Sequence, residues 1–175
     1  MTVTAATDTP GTATIGTVHL ADANILLRLM QPEHPHHALT RAALGTLRSR
    51  GDRVVTASQS LYEFWTVATR PAANNGLGKT PAQAGAWLSF FEQHLPPLPE
   101  LSLYAEWKRL AVAYGVQGKQ GHDARLVAAM KVHGITHLLT FNAAHFRRFE
   151  TGEGITIIDP QSVSTSMPVT PTEAL

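Results

Sequence analysis

Short runs rich in Val, Ile, Leu and Thr alternate along this chain with longer segments of helical spacing. That alternation restricts the possible folds more than any other feature of the sequence. The runs fall at residues 17–21, 53–57, 137–140 and 155–158; they are too short for stable helices and have the composition of strands. The intervening segments repeat apolar residues every three or four positions, as in Leu39, Ala42, Ala43 and Leu47, or Leu61, Phe64, Val67 and Ala68. Helices are expected at 23–30, from Leu39 towards Gly51, from Ser58 or Ser60 to about 70, at 81–94, 102–114, 122–134 and 143–149. Thr80-Pro81 reads as an N-cap followed by proline at the first helical position. Strands separated by helices predict an α/β fold whose parallel sheet is covered on both faces. Such sheets bind ligands at the carboxyl ends of their strands.

At 175 residues the chain can bury one real core, and its 43% hydrophobic and 15% charged composition is that of an ordinary globular protein. No apolar run approaches the ~18 residues of a membrane span, so no membrane partner is expected. Residues 1–16 contain neither Lys nor Arg and lack an apolar stretch, which argues against a secretory signal. The absence of cysteine excludes disulfides and thiolate metal sites and is compatible with the cytoplasm. A net charge of +1 is too small to indicate nucleic acid by itself. Few large apolar side chains occur in residues 1–16 or after residue 160. The expected organisation is a flexible tail at 1–16, one domain at 17–160 and a second flexible tail at 161–175.

Three carboxylates interrupt apolar surroundings at the edges of these elements: Asp22 ends VHLAD, Glu63 lies in LYEFW and Asp123 opens HDARLVAAM. Buried acids are costly unless something cationic meets them. Drawn from separate segments, the three could form one oxygen-rich site for a hard divalent cation such as Mg²⁺. Each has a structural alternative. Asp22 could cap the helix at Ala23, with Asn24 steadying it or standing in a solvated turn. Glu63 could close a capping box with Ser60, unless the helix starts at Ser58 and places Glu63 in its second turn. Asp123 would suit a helix N-terminus, although Leu126, Val127 and Met130 put it on the buried face and favour the site. Asn142 follows the third strand, where it could supply a fourth oxygen ligand, position water, or cap the next helix.

Two other patterns do not carry chemistry. Gly78-Lys79-Thr80 resembles the end of a phosphate-binding loop, but the required first glycine falls on Ala73 and the segment follows a helix. The Glu33-His34-Pro35-His36-His37 turn has metal-ligand residues at a Pro-broken spacing that fits no standard zinc site. GxSxG and GxGxxG are both absent.

LADANILLRLM, SLYEFWTVATRP and GHDARLVAAMKVHGITHLLTFNAAHF, in this order across residues 17–159, resemble PIN-domain ribonucleases, most closely the VapC-type toxins of toxin–antitoxin pairs. The resemblance implies a three-layer α/β/α sandwich with a pocket of acids binding Mg²⁺ or Mn²⁺. Asp22, Glu63 and Asp123 fall on that family's principal acidic positions. Asn142 stands where a fourth position is often Asp, and His145 stands where an acid is also frequent. The site therefore carries less negative charge than in the most acidic members. The implied activity is metal-dependent hydrolysis of RNA phosphodiesters, with Asp22 and Asp123 as direct ligands. Glu63 would bind a second ion or orient its water, and Asn142 would position water or phosphate. A cognate antitoxin and a homodimer are implied as partners, and the aromatic set Trp87, Phe90, Phe91, Tyr104 and Trp107 offers contact surface or core packing. Arg125, Arg147 and Arg148 could touch an RNA backbone or be solvated surface residues. The rival readings are a PIN-like module that binds RNA or protein without cleavage, favoured by Asn142, and a phosphate-handling α/β protein unrelated to RNA.

Overall fold

A computed structural model describes residues 16–164. The stretches 1–15 and 165–175, within the expected tails, lie outside the described residues. Four strands, β1 (Val18–Ala21), β2 (Arg53–Thr56), β3 (His137–Leu139) and β4 (Thr156–Ile158), form a parallel sheet in the order β2-β1-β3-β4. Ala21 pairs with Thr56 on one side and Leu139 on the other, so the strands end in register where the chain turns into helices. From β1 the chain moves outward to β2, then crosses back to β3. The carboxyl ends of β1 and β3 therefore flank a topological switch point, where this class of sheet opens a crevice.

Alternation along the strands assigns the two covering layers. Leu20, Val55 and Leu138 pack with Leu110 of α5 (Tyr104–Ala113), Val127 and Met130 of α6 (Gln120–Val132), and Phe146 and Phe149 of α7 (Ala143–Glu153). Ala21 and Leu139 face the opposite layer, with Ile25 of α1 (Ala23–Met30), Ala43 and Leu47 of α2 (His37–Ser49), and Val163 of α8 (Pro160–Ser164). A third cluster joins α1 to α3 (Ser58–Thr69) and α4 (Pro81–His94), where Phe64 and Phe91 meet edge to face at 4.9 Å. Burying each large apolar side chain in these clusters contributes roughly 1.5–3 kcal/mol. The three-layer α/β/α sandwich is the architecture expected from the sequence.

Local chemistry sets the boundaries. Thr80 accepts from the Gln83 amide at 3.2 Å while the Gln83 side chain accepts from the Thr80 amide at 3.0 Å, a complete capping box with Pro81 at the first helical position. Thr56 pairs with the proline-rich segment after α4, through Thr56 N to Pro96 O at 3.1 Å and Leu98 N to Thr56 O at 2.8 Å. That pairing covers part of the exposed β2 edge.

Several boundaries differ from the sequence reading. The helix expected at 122 begins at Gln120, whose side chain accepts from the Gln117 amide at 3.2 Å and secures the turn before it. α7 runs to Glu153, four residues beyond Phe149, and stops at Gly154, whose φ of 63° favours glycine. One more helix follows β4 and spans the expected domain boundary at residue 160. α8 continues to Ser164, and Val163, 3% exposed, fills the α2 side of the core.

Candidate metal and phosphate site

β1 delivers Asp22 to the crevice. Its amide donates to Leu139 O at 3.0 Å, binding the first residue beyond β1 to the end of β3. Asp22 occupies the N-cap position of α1, yet its side chain makes no capping hydrogen bond. Its carboxylate is engaged across the crevice instead, where the Thr140 hydroxyl and the Asn24 amide both donate to Oδ2 at 2.7 Å. Asn24 also donates to Thr140 Oγ1 at 2.9 Å and accepts from the Phe141 amide at 3.2 Å. Thr140 Oγ1 in turn accepts from the Asn142 amide at 3.0 Å. Fully buried Thr140 is thus the hub of the crevice. The sequence reading missed it; the available signal was a hydroxyl residue ending an apolar strand two positions before Asn142.

Only 9% of Asp22 is exposed. Burial pushes its carboxyl up to about 6, the Thr140 hydroxyl holds it back, and the Glu63 and Asp123 charges push it further up. The three acids therefore sense one another across the crevice, although they come from β1, α3 and α6.

Glu63 lies in the second turn of α3, which begins at Ser58, so it closes no capping box with Ser60. Ser60 serves the sheet instead, since its hydroxyl donates to Ala21 O at 2.9 Å and fixes α3 against the end of β1. Glu63 accepts from Gln59 Nε2 at 2.8 Å, and the same amide nitrogen donates to His122 O at 2.9 Å. Arg125 completes this relay by donating to Gln59 Oε1 at 3.1 Å. His122 Nδ1 stands 3.7 Å from Glu63. Gln59 is the second residue the sequence reading missed, hidden because it looks like an ordinary helical residue.

Asp123 sits half-buried in the first turn of α6. Burial raises its pKa, the neighbouring His145 opposes that shift, and Glu63 adds to it. His145 Nδ1, on α7, is 3.8 Å from Asp123 Oδ1. Asn142 occupies the N-cap position of α7, but its side chain makes no capping hydrogen bond and is exposed at the crevice rim. Arg148 is exposed and donates to Gln120 Oε1 at 2.8 Å. Exposed Arg147 lies beside it in sequence on α7.

Asp22, Asp123, Glu63 and Asn142 thus belong to elements that meet at the switch point, and the acids are electrostatically coupled. Among the described residues, no three acidic or imidazole side chains stand together as a ready ligand cage. The turn at residues 33–37 contributes no such group either; there, His36 stacks on Phe141 at 4.4 Å. A separate cavity of about 470 Å³ opens between α2, β2 and α4, lined by Leu29, Leu44, Val54, Arg41, Arg48 and Arg53 among others, and none of the four candidate residues lines it. None of the helices is long and apolar enough to cross a membrane, among the described residues.

The molecule is similar in fold to the VapBC-1 structure from nontypeable Haemophilus influenzae, with a TM-score of 0.58 at 15% identity, covering 82% of this chain and 98% of that one. VapBC2 from Rickettsia felis, bound to a DNA fragment from its promoter, gives 0.55 at 14% identity, covering 82% and 98%. FitAcB from Neisseria gonorrhoeae gives 0.51 at 16% identity, covering 81% and 97%. No curated protein matches the sequence. The PIN domain pattern matches residues 20–151, a span that runs from the end of β1 into α7 and includes all four candidate residues. The chain belongs to the PIN domain family.

Proposed function

We propose that this protein is a metal-dependent endoribonuclease, the toxin of a toxin–antitoxin pair, acting on RNA in the cytoplasm. One observation carries the reading. Buried Asp22 stands at the switch point of a PIN fold with Thr140 and Asn24 both donating to its Oδ2 at 2.7 Å, and burial together with the Glu63 and Asp123 charges pushes its carboxyl up to about 6. A divalent cation would relieve that repulsion. The donors fit a hard ion of the Mg²⁺ class, which binds through one or two carboxylates and keeps several waters, so a complete protein cage is not required.

Asp22 and Asp123 would hold the ion. When bound, Mg²⁺ or Mn²⁺ supplies charge neutralisation at phosphate and a more acidic water. Asn24 and Thr140 fix the orientation of Asp22 through its Oδ2. Gln59 holds Glu63, which would orient the attacking water or assist a second ion. The exposed Asn142 amide would position water or a phosphate oxygen. His145, near Asp123, would sense the charge of the loaded site.

The antitoxin partner is supported by fold neighbours that are VapBC and FitAcB proteins. A homodimer is part of the same proposal. Binding of RNA without cleavage is the second reading, favoured by the neutral Asn142 at the crevice.

The test is incubation of the purified protein with structured and unstructured RNAs in Mg²⁺ or Mn²⁺, beside EDTA and the Asp22→Asn and Asp123→Asn variants. Discrete cuts that disappear in all three controls support the enzyme. Intact RNA with metal loading confirmed supports the binding module.

A further inference from the structure

The aromatic residues of α4 and those of α5 are used differently. Trp87, Phe90 and Phe91 pack on one another along α4 with ring centroids 5.3–5.9 Å apart, and His94 stacks on Phe90 at 4.2 Å. Their faces are largely used within the chain. Tyr104 is 67% exposed, and its ring lies 6.1 Å from that of half-buried Trp107 one turn later, forming one aromatic surface on α5.

That surface is tied to the acidic crevice. The Trp107 indole donates to Gly121 O at 2.9 Å, and Gly121 belongs to the same first turn of α6 as Asp123. Tyr104, Trp107 and Arg125 share an open cavity of about 390 Å³ with Leu101, Ser102 and Leu103, within the size range of ligand clefts. Arg125 also lines the small adjoining depression with Gln59, His133 and Glu100. Its guanidinium donates to the neutral Gln59 amide, which holds Glu63. None of the ion pairs among the described residues involves Arg125, so its charge is not neutralised by a paired carboxylate. Lys108, exposed and four residues after Tyr104, adds a second positive charge on the same helical face.

We propose that Tyr104, Trp107 and Arg125 form a nucleotide subsite beside the acidic site. Tyr104 stacks on an unpaired base of single-stranded RNA, and Arg125 receives a neighbouring phosphate. The subsite rests on the RNA reading above and narrows it to substrates with an unstacked base near the scissile bond. Duplex RNA buries its base faces and cannot use this surface. Stacking on an aromatic side chain tolerates any base, so the subsite selects for single-strandedness more than for sequence.

The test is fluorescence anisotropy with an end-labelled, unpaired oligoribonucleotide and a duplex of equal length, in EDTA to prevent cleavage. Tyr104→Ala is expected to weaken single-strand binding by about 5- to 100-fold, with Tyr104→Phe within about twofold of the parent. Duplex binding should not change. Arg125→Gln should lower the slope of log affinity against log salt by about 0.7, the value of one single-strand phosphate contact. Light scattering and a thermal melt on each variant report mass and folding.

Unchanged single-strand binding in Tyr104→Ala, or no single-strand binding by the parent, overturns the subsite. A change in molecular mass without a change in RNA affinity also overturns it, and makes this face a protein–protein contact. The two readings fail separately. Cleavage with parental affinity in Tyr104→Ala removes the subsite and leaves the ribonuclease, whereas Tyr104-dependent binding without cleavage keeps the subsite and removes the enzyme.

Discussion

Asp22 is held by neutral donors, Thr140 and Asn24, in a place that raises its pKa from 3.8 to about 6. Because the folded value lies above the unfolded one, the native state favours the protonated form. Stability from this group is present below about pH 4 and is lost as pH rises towards 6, a loss of up to about 3 kcal/mol. Asp22→Asn should therefore stabilise the metal-free protein by roughly 1–3 kcal/mol at pH 7 and by little at pH 4. Urea denaturation at the two pH values checks this. Equal stability of both proteins at pH 7 would show that the carboxylate is not under strain. Saturating Mn²⁺ should raise the melting temperature of the parent and not that of the variant.

Thr140 shows how the ends of β1 and β3 act as a unit. Its hydroxyl donates to Asp22 and accepts from Asn24 and the Asn142 amide. Thr140→Val keeps the shape but leaves Asp22 with one donor fewer. The acidic limb of the cleavage pH profile should move up by roughly one unit, while Thr140→Ser preserves the profile. An unmoved profile in Thr140→Val would detach the hydroxyl from the site. The sequence exposed the acids because a carboxylate beside Leu20, Phe64 or Leu126 breaks an apolar pattern. Thr140 and Gln59 break no pattern, so their roles became visible only when β3 was placed beside β1 and α6 beside α3. The same reason explains the late end of α7. Nothing in RRFETGE marks residue 153, whereas in three dimensions Glu153 meets side chains from two other helices and closes the α5–α6–α7 layer. Glu153, 8% exposed, receives two hydrogen bonds from Arg109 at 3.0 and 2.6 Å and one from the Tyr114 hydroxyl at 2.9 Å. Lys131 of α6 donates to its carbonyl at 2.9 Å. Its neighbour Gly152 faces Tyr114 so closely that an added Cβ would collide with the Tyr114 hydroxyl. The Arg109 hydrogen bonds hold the Glu153 carboxyl below its usual range, with Tyr114 and Lys131 acting in the same direction against burial. Its contribution is therefore present above about pH 4.5 and is lost as pH falls through the lower folded value. Glu153→Gln should cost about 1–3 kcal/mol at neutral pH, less than a fully buried pair because solvent screens the half-exposed Arg109. The difference from the parent should shrink on acidification. Chemical denaturation at pH 7 and at low pH measures both; a deficit that persists unchanged in acid would assign it to packing instead of charge.

At the scale of the whole molecule, the parallel sheet, two helical layers and switch-point crevice bring acids as far apart in the chain as Asp22 and Asp123 within electrostatic reach of one another. Their convergence on one cation is the central claim. Anomalous diffraction from crystals soaked in Mn²⁺ tests it most directly. The account predicts a peak within bonding distance of Asp22 and Asp123, lost in Asp22→Asn. No peak at saturating Mn²⁺, or a peak at the histidine turn of residues 33–37 with none in the crevice, would contradict it.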